Sequence, residues 1–210
     1  LGDRVEPVAN TPGLVVINDE IEVKWAPFTI SSDGGIPREI KLISRAPFAP
    51  WESSENGPIL EASIGHVLPP SLDEADAGEV ASKGQMLSIS WQSLNHDEEL
   101  LDSSLNPHVV ILSDALQLAN RPGKLVEAIH VIKLRFPGAL LWAPGIGGPD
   151  NCAVLSWFGV DLFDTTRTMQ AEAHGAVLTW SGPRFALDGE TSNLHWKNAL
   201  ADVHSAISTN

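Results

Sequence analysis

From Leu87 onward the apolar positions fall into short continuous runs separated by longer amphipathic stretches. The runs "LSISW" (87–91), "HVVILS" (108–113), "GALLWAP" (138–144), "VDLFD" (160–164) and "AVLTW" (176–180) are too short for helices and rich in branched and aromatic residues, which predicts strands. Between them, "RPGKLVEAIHVIKLRF" (121–136) places Leu125, Ile129, Ile132 and Phe136 at helical spacing, with Pro122 suited to the first turn. "PDNCAVLSWFG" (149–159) predicts a short helix closed by Gly159, "TTRTMQAEAHG" (165–175) one closed by Gly175, and "NLHWKNALADVHSAI" (193–207) a last, longer helix. Strands apolar along their whole length are buried on both faces, and their alternation with helices predicts parallel pairing in an α/β protein.

The first third has a different rhythm. "GLVVIN" (13–18), "EIEVKWAPF" (20–28), "REIKLISR" (38–45) and "PILEASIGHV" (58–67) predict strands, "SSDGGIP" (31–37) breaks the run, and "PPSLDEADAGEVASKG" (69–84) is an acidic linker or short helix. The expected architecture is a TIM-barrel-like (β/α) barrel over residues 58–210, closed or incomplete. A small antiparallel β-rich region, residues 1–57, precedes it and packs on it. An open doubly wound sheet is the alternative.

In such folds ligands meet the carboxyl ends of the strands. Three predicted loops leave such ends. They carry Asp114, the turn Gly145-Ile146-Gly147-Gly148, and Asp164. Asp164 has two compatible readings: a helix cap, favoured for Asp before Thr165-Thr166-Arg167, and a carboxylate nucleophile or base. Asp114 reads either as a turn or cap residue or as an acceptor for the N–H groups of a planar base. Gly145 and Gly147 suit a tight turn or close backbone approach to a ligand, without phosphate-loop spacing. Asp161 reads as a structural carboxylate. Trp91 and Trp142, near strand ends, suit core packing better than base stacking.

Composition narrows the partners. The chain has 210 residues, a net charge of -14 and a sequence pI near 4.7. Proteins that grip nucleic acid alone present a basic stripe, so either the chain binds no nucleic acid, or another domain or subunit supplies the grip, or the acidic surface suits a salt-rich setting. No apolar run is long enough to span a bilayer, and no basic start leads into an apolar signal core. A single cysteine, Cys152, excludes an internal disulfide and a cysteine-cluster zinc site. None of the seven histidines has metal-ligand spacing, so no metal or cofactor is expected. The expected setting is cytoplasmic, and homo-oligomerisation stays open.

The segment "FPGALLWAPGIGGPDNCAVLSWFGVDLFDTTRTMQAEAHGAVLT" resembles the tRNA-guanine transglycosylase superfamily, whose pattern is a Gly-x-Gly turn, a short helix and Gly-x-Asp-x-Phe-Asp, here Gly159, Asp161, Phe163 and Asp164. "NPHVVILSDALQLANRPGKLVEAI" is similar to the family strand that ends in a base-recognising Asp, here Asp114, and "NTPGLVVIN" to its opening Thr-Pro strand. The resemblance is specific over residues 106–179, and its details look most like the archaeal paralogues of the superfamily that act in archaeosine formation. It implies a TIM-barrel-like fold, a purine-like deazaguanine base as ligand, tRNA as partner, and Asp164 at the position of the nucleophile that attacks the ribose anomeric carbon. Gly145 and Gly147 would line the base site. The family's Asp-Ser-Gly motif and its zinc-binding cysteines have no counterpart here, and "WSGPRFALDGETSNLHWKN" occupies the place of the latter. The expectation is a domain taking part in deazaguanine tRNA modification, weak or inactive alone. An active base-exchange enzyme using Asp164 and a degenerate structural or docking domain are the alternatives.

Overall fold

The computed structural model describes residues 11–17, 28–31, 39–44, 60–63, 86–91, 107 and 109–209. Ten strands are described: β1 (Gly13–Ile17), β2 (Phe28–Ser31), β3 (Glu39–Ser44), β4 (Leu60–Ser63), β5 (Met86–Ile89), β6 (Val109–Leu112), β7 (Leu140–Trp142), β8 (Leu162–Asp164), β9 (Ala176–Thr179) and β10 (Gly182–Phe185). Five helices accompany them: α1 (Ala115–Leu118), α2 (Pro122–Arg135), α3 (Cys152–Phe158), α4 (Thr166–Ala173) and α5 (Ser192–Ser208). No helix among the described residues is long and apolar enough to cross a membrane.

The protein is mixed α/β, built on one largely parallel sheet of order β4-β3-β2-β1-β8-β7-β6-β5. Strands β2, β1, β8, β7, β6 and β5 run parallel, and β3 pairs antiparallel with both β2 and β4. Within this sheet every adjacent pair of strands except β1 and β8 is also successive in the chain. The two outer strands, β4 and β5, are themselves successive in sequence and approach each other closely.

The order bears on three expectations. Strands β2, β3 and β4 pair antiparallel as expected, but they continue the sheet and are not set on it, because β1 sits inside it, with Leu14 opposite Phe163 and Val15 opposite Asp164. Strands β3 and β4, on either side of the boundary expected at residue 57, pair with each other. The run "AVLTW" forms β9 as predicted but does not join the sheet. It turns back through Ser181 into β10 as a separate antiparallel hairpin. Predictions over residues 18–27 and 69–84 lie outside the described residues.

Burial explains why these sequences form these elements. Leu14, Val16, Leu87, Ile89, Val110, Leu112, Leu141 and Phe163 share a core with the apolar stripe of α2 (Leu125, Ala128, Ile129, Ile132) and with Trp196 and Leu200 of α5. The alternate positions Val15, Val109, Ile111, Trp142 and Leu162 are just as fully buried on the other face. A strand must be apolar throughout to satisfy both faces, and each such side chain contributes about 1.5–3 kcal/mol. Gly159 closes α3 in the left-handed region (φ 112), where its N–H reaches back to Leu155 and Ser156 carbonyls. The ring of Phe163 packs on Trp196, centroids 5.8 Å apart, and His204 Nε2 meets the Pro12 carbonyl at 2.7 Å, which ties α5 to the start of β1.

Candidate functional site

Because β6, β7 and β8 are parallel neighbours, their carboxyl ends deliver Asp114, Gly145 and Asp164 to one edge of the sheet. With one strand between theirs, the two acids start from backbones about 10 Å apart at ordinary strand spacing. Gly145 links them. Its N–H donates to Asp164, and a Cβ placed on it would lie 3.9 Å from Leu116, two residues beyond Asp114.

Asp164, 2% exposed, is enclosed by donors. Its Oδ2 accepts the Trp142 indole Nε1–H at 3.1 Å and the Gly145 N–H at 2.8 Å, while Oδ1 accepts the Thr166 N–H at 2.9 Å. Three N–H groups occupy most of the acceptor sites of this carboxylate. The cap reading shifts by one residue: Thr165 is the N-cap of α4, and Asp164 closes a two-residue turn onto the first helical N–H.

Asp114, 7% exposed, reaches sideways instead of capping α1. Both its oxygens accept the backbone N–H of Trp91 at 3.0 Å, just past β5, and the Ser113 N–H donates to the Ile89 carbonyl at 2.9 Å. Burial pushes its carboxyl above the ordinary carboxylate value, and the Trp91 N–H pulls partly back. A carboxyl of this kind can accept from, or when protonated donate to, a polar ligand edge.

The remaining positions are structural. Gly147 has its close approach to Phe163, not to a carboxylate: a Cβ there would meet the Phe163 ring at 2.4 Å. Asp161 Oδ2 accepts the Leu141 N–H at 2.7 Å and the Lys133 ammonium, so it holds α2 against the sheet. Arg167 pairs through both guanidinium nitrogens with Asp150 (Nη2 to Oδ2, 2.7 Å), locking α4 to the start of α3. Trp142 is fully buried and spends its only side-chain donor on Asp164, whereas Trp91 is half-buried beneath the Lys124 ammonium, 5.2 Å from its ring centroid. The Trp142–Asp164 bond has no motif to announce it in the sequence. Its one signal is an apolar strand ending in tryptophan, since a buried indole N–H needs an acceptor.

No group of three or more His, Cys, Asp and Glu side chains is placed to hold a metal ion among the described residues. Against known proteins, no family model matches the chain and no curated protein matches it.

Proposed function

We propose that the chain is a transglycosylase-like barrel domain taking part in deazaguanine modification of tRNA, and that it does not exchange bases by itself. The family assignment rests on the Gly159-x-Asp161-x-Phe163-Asp164 motif and the strand leading to Asp114. Closure of the eight strands is part of the same proposal. It is supported by strand neighbours that follow chain order, by the approach of β4 to β5, and by the buried face carrying Val15, Ile111 and Trp142.

One observation carries the inactive reading: Asp164 is buried with an indole and two backbone N–H groups on its oxygens. A nucleophile needs a free lone pair aimed at the sugar carbon, and these donors blunt it. The net charge of -14 supports a grip on tRNA supplied by another domain or subunit, and a cytoplasmic setting is part of the same proposal.

Incubation with tRNA and 7-cyano-7-deazaguanine, followed by denaturing gel, is expected to give no covalent band. A band that disappears in Asp164→Asn would establish active exchange instead. A second reading, a scaffold with no base site, is favoured by Trp142 filling the space beside Asp164. Melting separates the two: a base bound only by the folded state stabilises by about 2.7 kcal/mol at a hundred times its Kd. If neither guanine nor any deazaguanine raises the melting temperature, the scaffold reading holds.

A further inference from the structure

Away from the strand ends, a cavity of about 700 Å³ lies between α3 and α5, against the turn that joins β9 to β10. That is the size of a pocket for one small organic molecule. Its walls are apolar, chiefly alanines with Val203 and Ile207 of α5. Trp157 from α3 and Trp180 from the hairpin turn also line it, and they are 84% and 82% exposed. Each of these two indoles presents a large π-face to water.

The polar groups of the cavity are one-sided. Among the described residues its charged side chains are Asp150 and Asp202, and none of those lining it is a lysine, arginine or histidine. Asp150 is already held by Arg167. Asp202 is exposed at the rim and has no cationic partner among the described residues. On the α3 wall, the Ser156 Oγ is buried without a hydrogen-bond partner.

We infer that this cavity binds a small organic cation with an apolar body. Indole faces attract a cation through their quadrupole, an effect that grows as water is excluded, and Asp202 supplies the matching charge. An anion would meet the Asp202 carboxylate, and a neutral ligand would leave that carboxylate unused. A second copy of this chain would bring another net charge of -14 to the same acidic rim. The inference stands independently of the tRNA proposal, because no residue of the cavity belongs to the Asp114–Asp164 edge.

The test follows the indole N–H resonances of Trp157 and Trp180 in the full chain, assigned through Trp157→Phe and Trp180→Phe. Three probes of similar size are titrated: benzyltrimethylammonium, benzyl alcohol and phenylacetate. The cation is expected to shift both resonances saturably, with an affinity about tenfold above that of benzyl alcohol, and phenylacetate should bind least. Asp202→Asn, an exposed change whose folding is checked by an unaltered melting temperature, should erase the preference for the cation while leaving benzyl alcohol unchanged. Equal affinity for cation and alcohol, no saturable shift, or a preference that survives Asp202→Asn overturns the inference.

Discussion

The four named positions of the Gly159–Asp164 motif each have a folding task. Gly159 ends α3 with a backbone that side chains avoid, Asp161 anchors Lys133 and the Leu141 N–H, Phe163 packs on Trp196, and Asp164 gathers three N–H donors. Asp164→Ala strands a buried indole N–H and a buried backbone N–H, so chemical denaturation should register a loss on the order of 3–5 kcal/mol. Asp164→Asn keeps the shape and some of the acceptors and should lose less. A neutral Asp164→Ala would mean that the clamp carries no stability. Asp114 makes stability depend on pH. Its folded value lies above the ordinary 3.8, so the native state prefers the protonated form, and stability declines as pH rises from 3.8 through the raised value. Asp114→Asn retains an acceptor for Trp91 without the buried charge and should flatten that part of the pH–stability curve. Asp114→Ala should cost about 1–3 kcal/mol at low pH by removing an acceptor of the Trp91 N–H, and less at higher pH, where the intact chain bears the buried charge. These acids were legible in sequence by position and not by partner: Trp142 lies 22 residues from Asp164 and Trp91 lies 23 from Asp114, beyond the reach of local patterns.

At the scale of elements, helices α2, α3, α4 and α5 were readable because their stops and stripes are local: Pro122 at the start of α2, Gly159 after α3, Gly175 (φ 71) after α4. The β9–β10 hairpin was not. "AVLT" is as apolar as any sheet strand, and its partner "GPRF" is largely exposed, so neither periodicity nor hydropathy separates this pair from another βα unit. Beside the burial of Val177 and Leu178, charge ties the hairpin to α5. Glu190 pairs with Arg184 (Nη1 to Oε2, 2.7 Å), accepts the Leu187 N–H at 3.0 Å and meets His195 Nε2 at 3.0 Å. The Arg184 guanidinium, then the Leu187 N–H, hold the Glu190 carboxyl down to about 2. Because this lies below the ordinary 4.5, the pairing stabilises above about pH 4.5 and fades as pH falls through about 2. Glu190 is solvated, so salt should weaken the effect. Carbon-detected titration of the Glu190 carboxyl should show a midpoint well under 4.5 that returns toward 4.5 in Arg184→Ala. An ordinary midpoint in the intact chain would remove the clamp.

Over the whole molecule, periodicity announced an α/β sheet, while the placement of β1 depends on pairing between residues far apart in the chain, which composition and spacing do not encode. The single cysteine gives a global probe of that assembly. Cys152 is buried at the start of α3, and burial pushes its thiol up to about 11 from 9.0, which cuts the thiolate fraction near neutrality about a hundredfold. A disulfide reagent should therefore label native protein slowly, at the rate of cooperative opening, and label it rapidly in guanidinium. Fast labelling without denaturant would show that α3 undocks independently. The pairing of β1 with β8 also sets a schedule for biosynthesis. Gly13 leaves the ribosome about 150 residues before Leu162, and at roughly 5–20 residues per second this is about 8–30 s. During that interval the nascent strand has one flank without its native neighbour, a template for wrong pairing that a holding chaperone would have to shield.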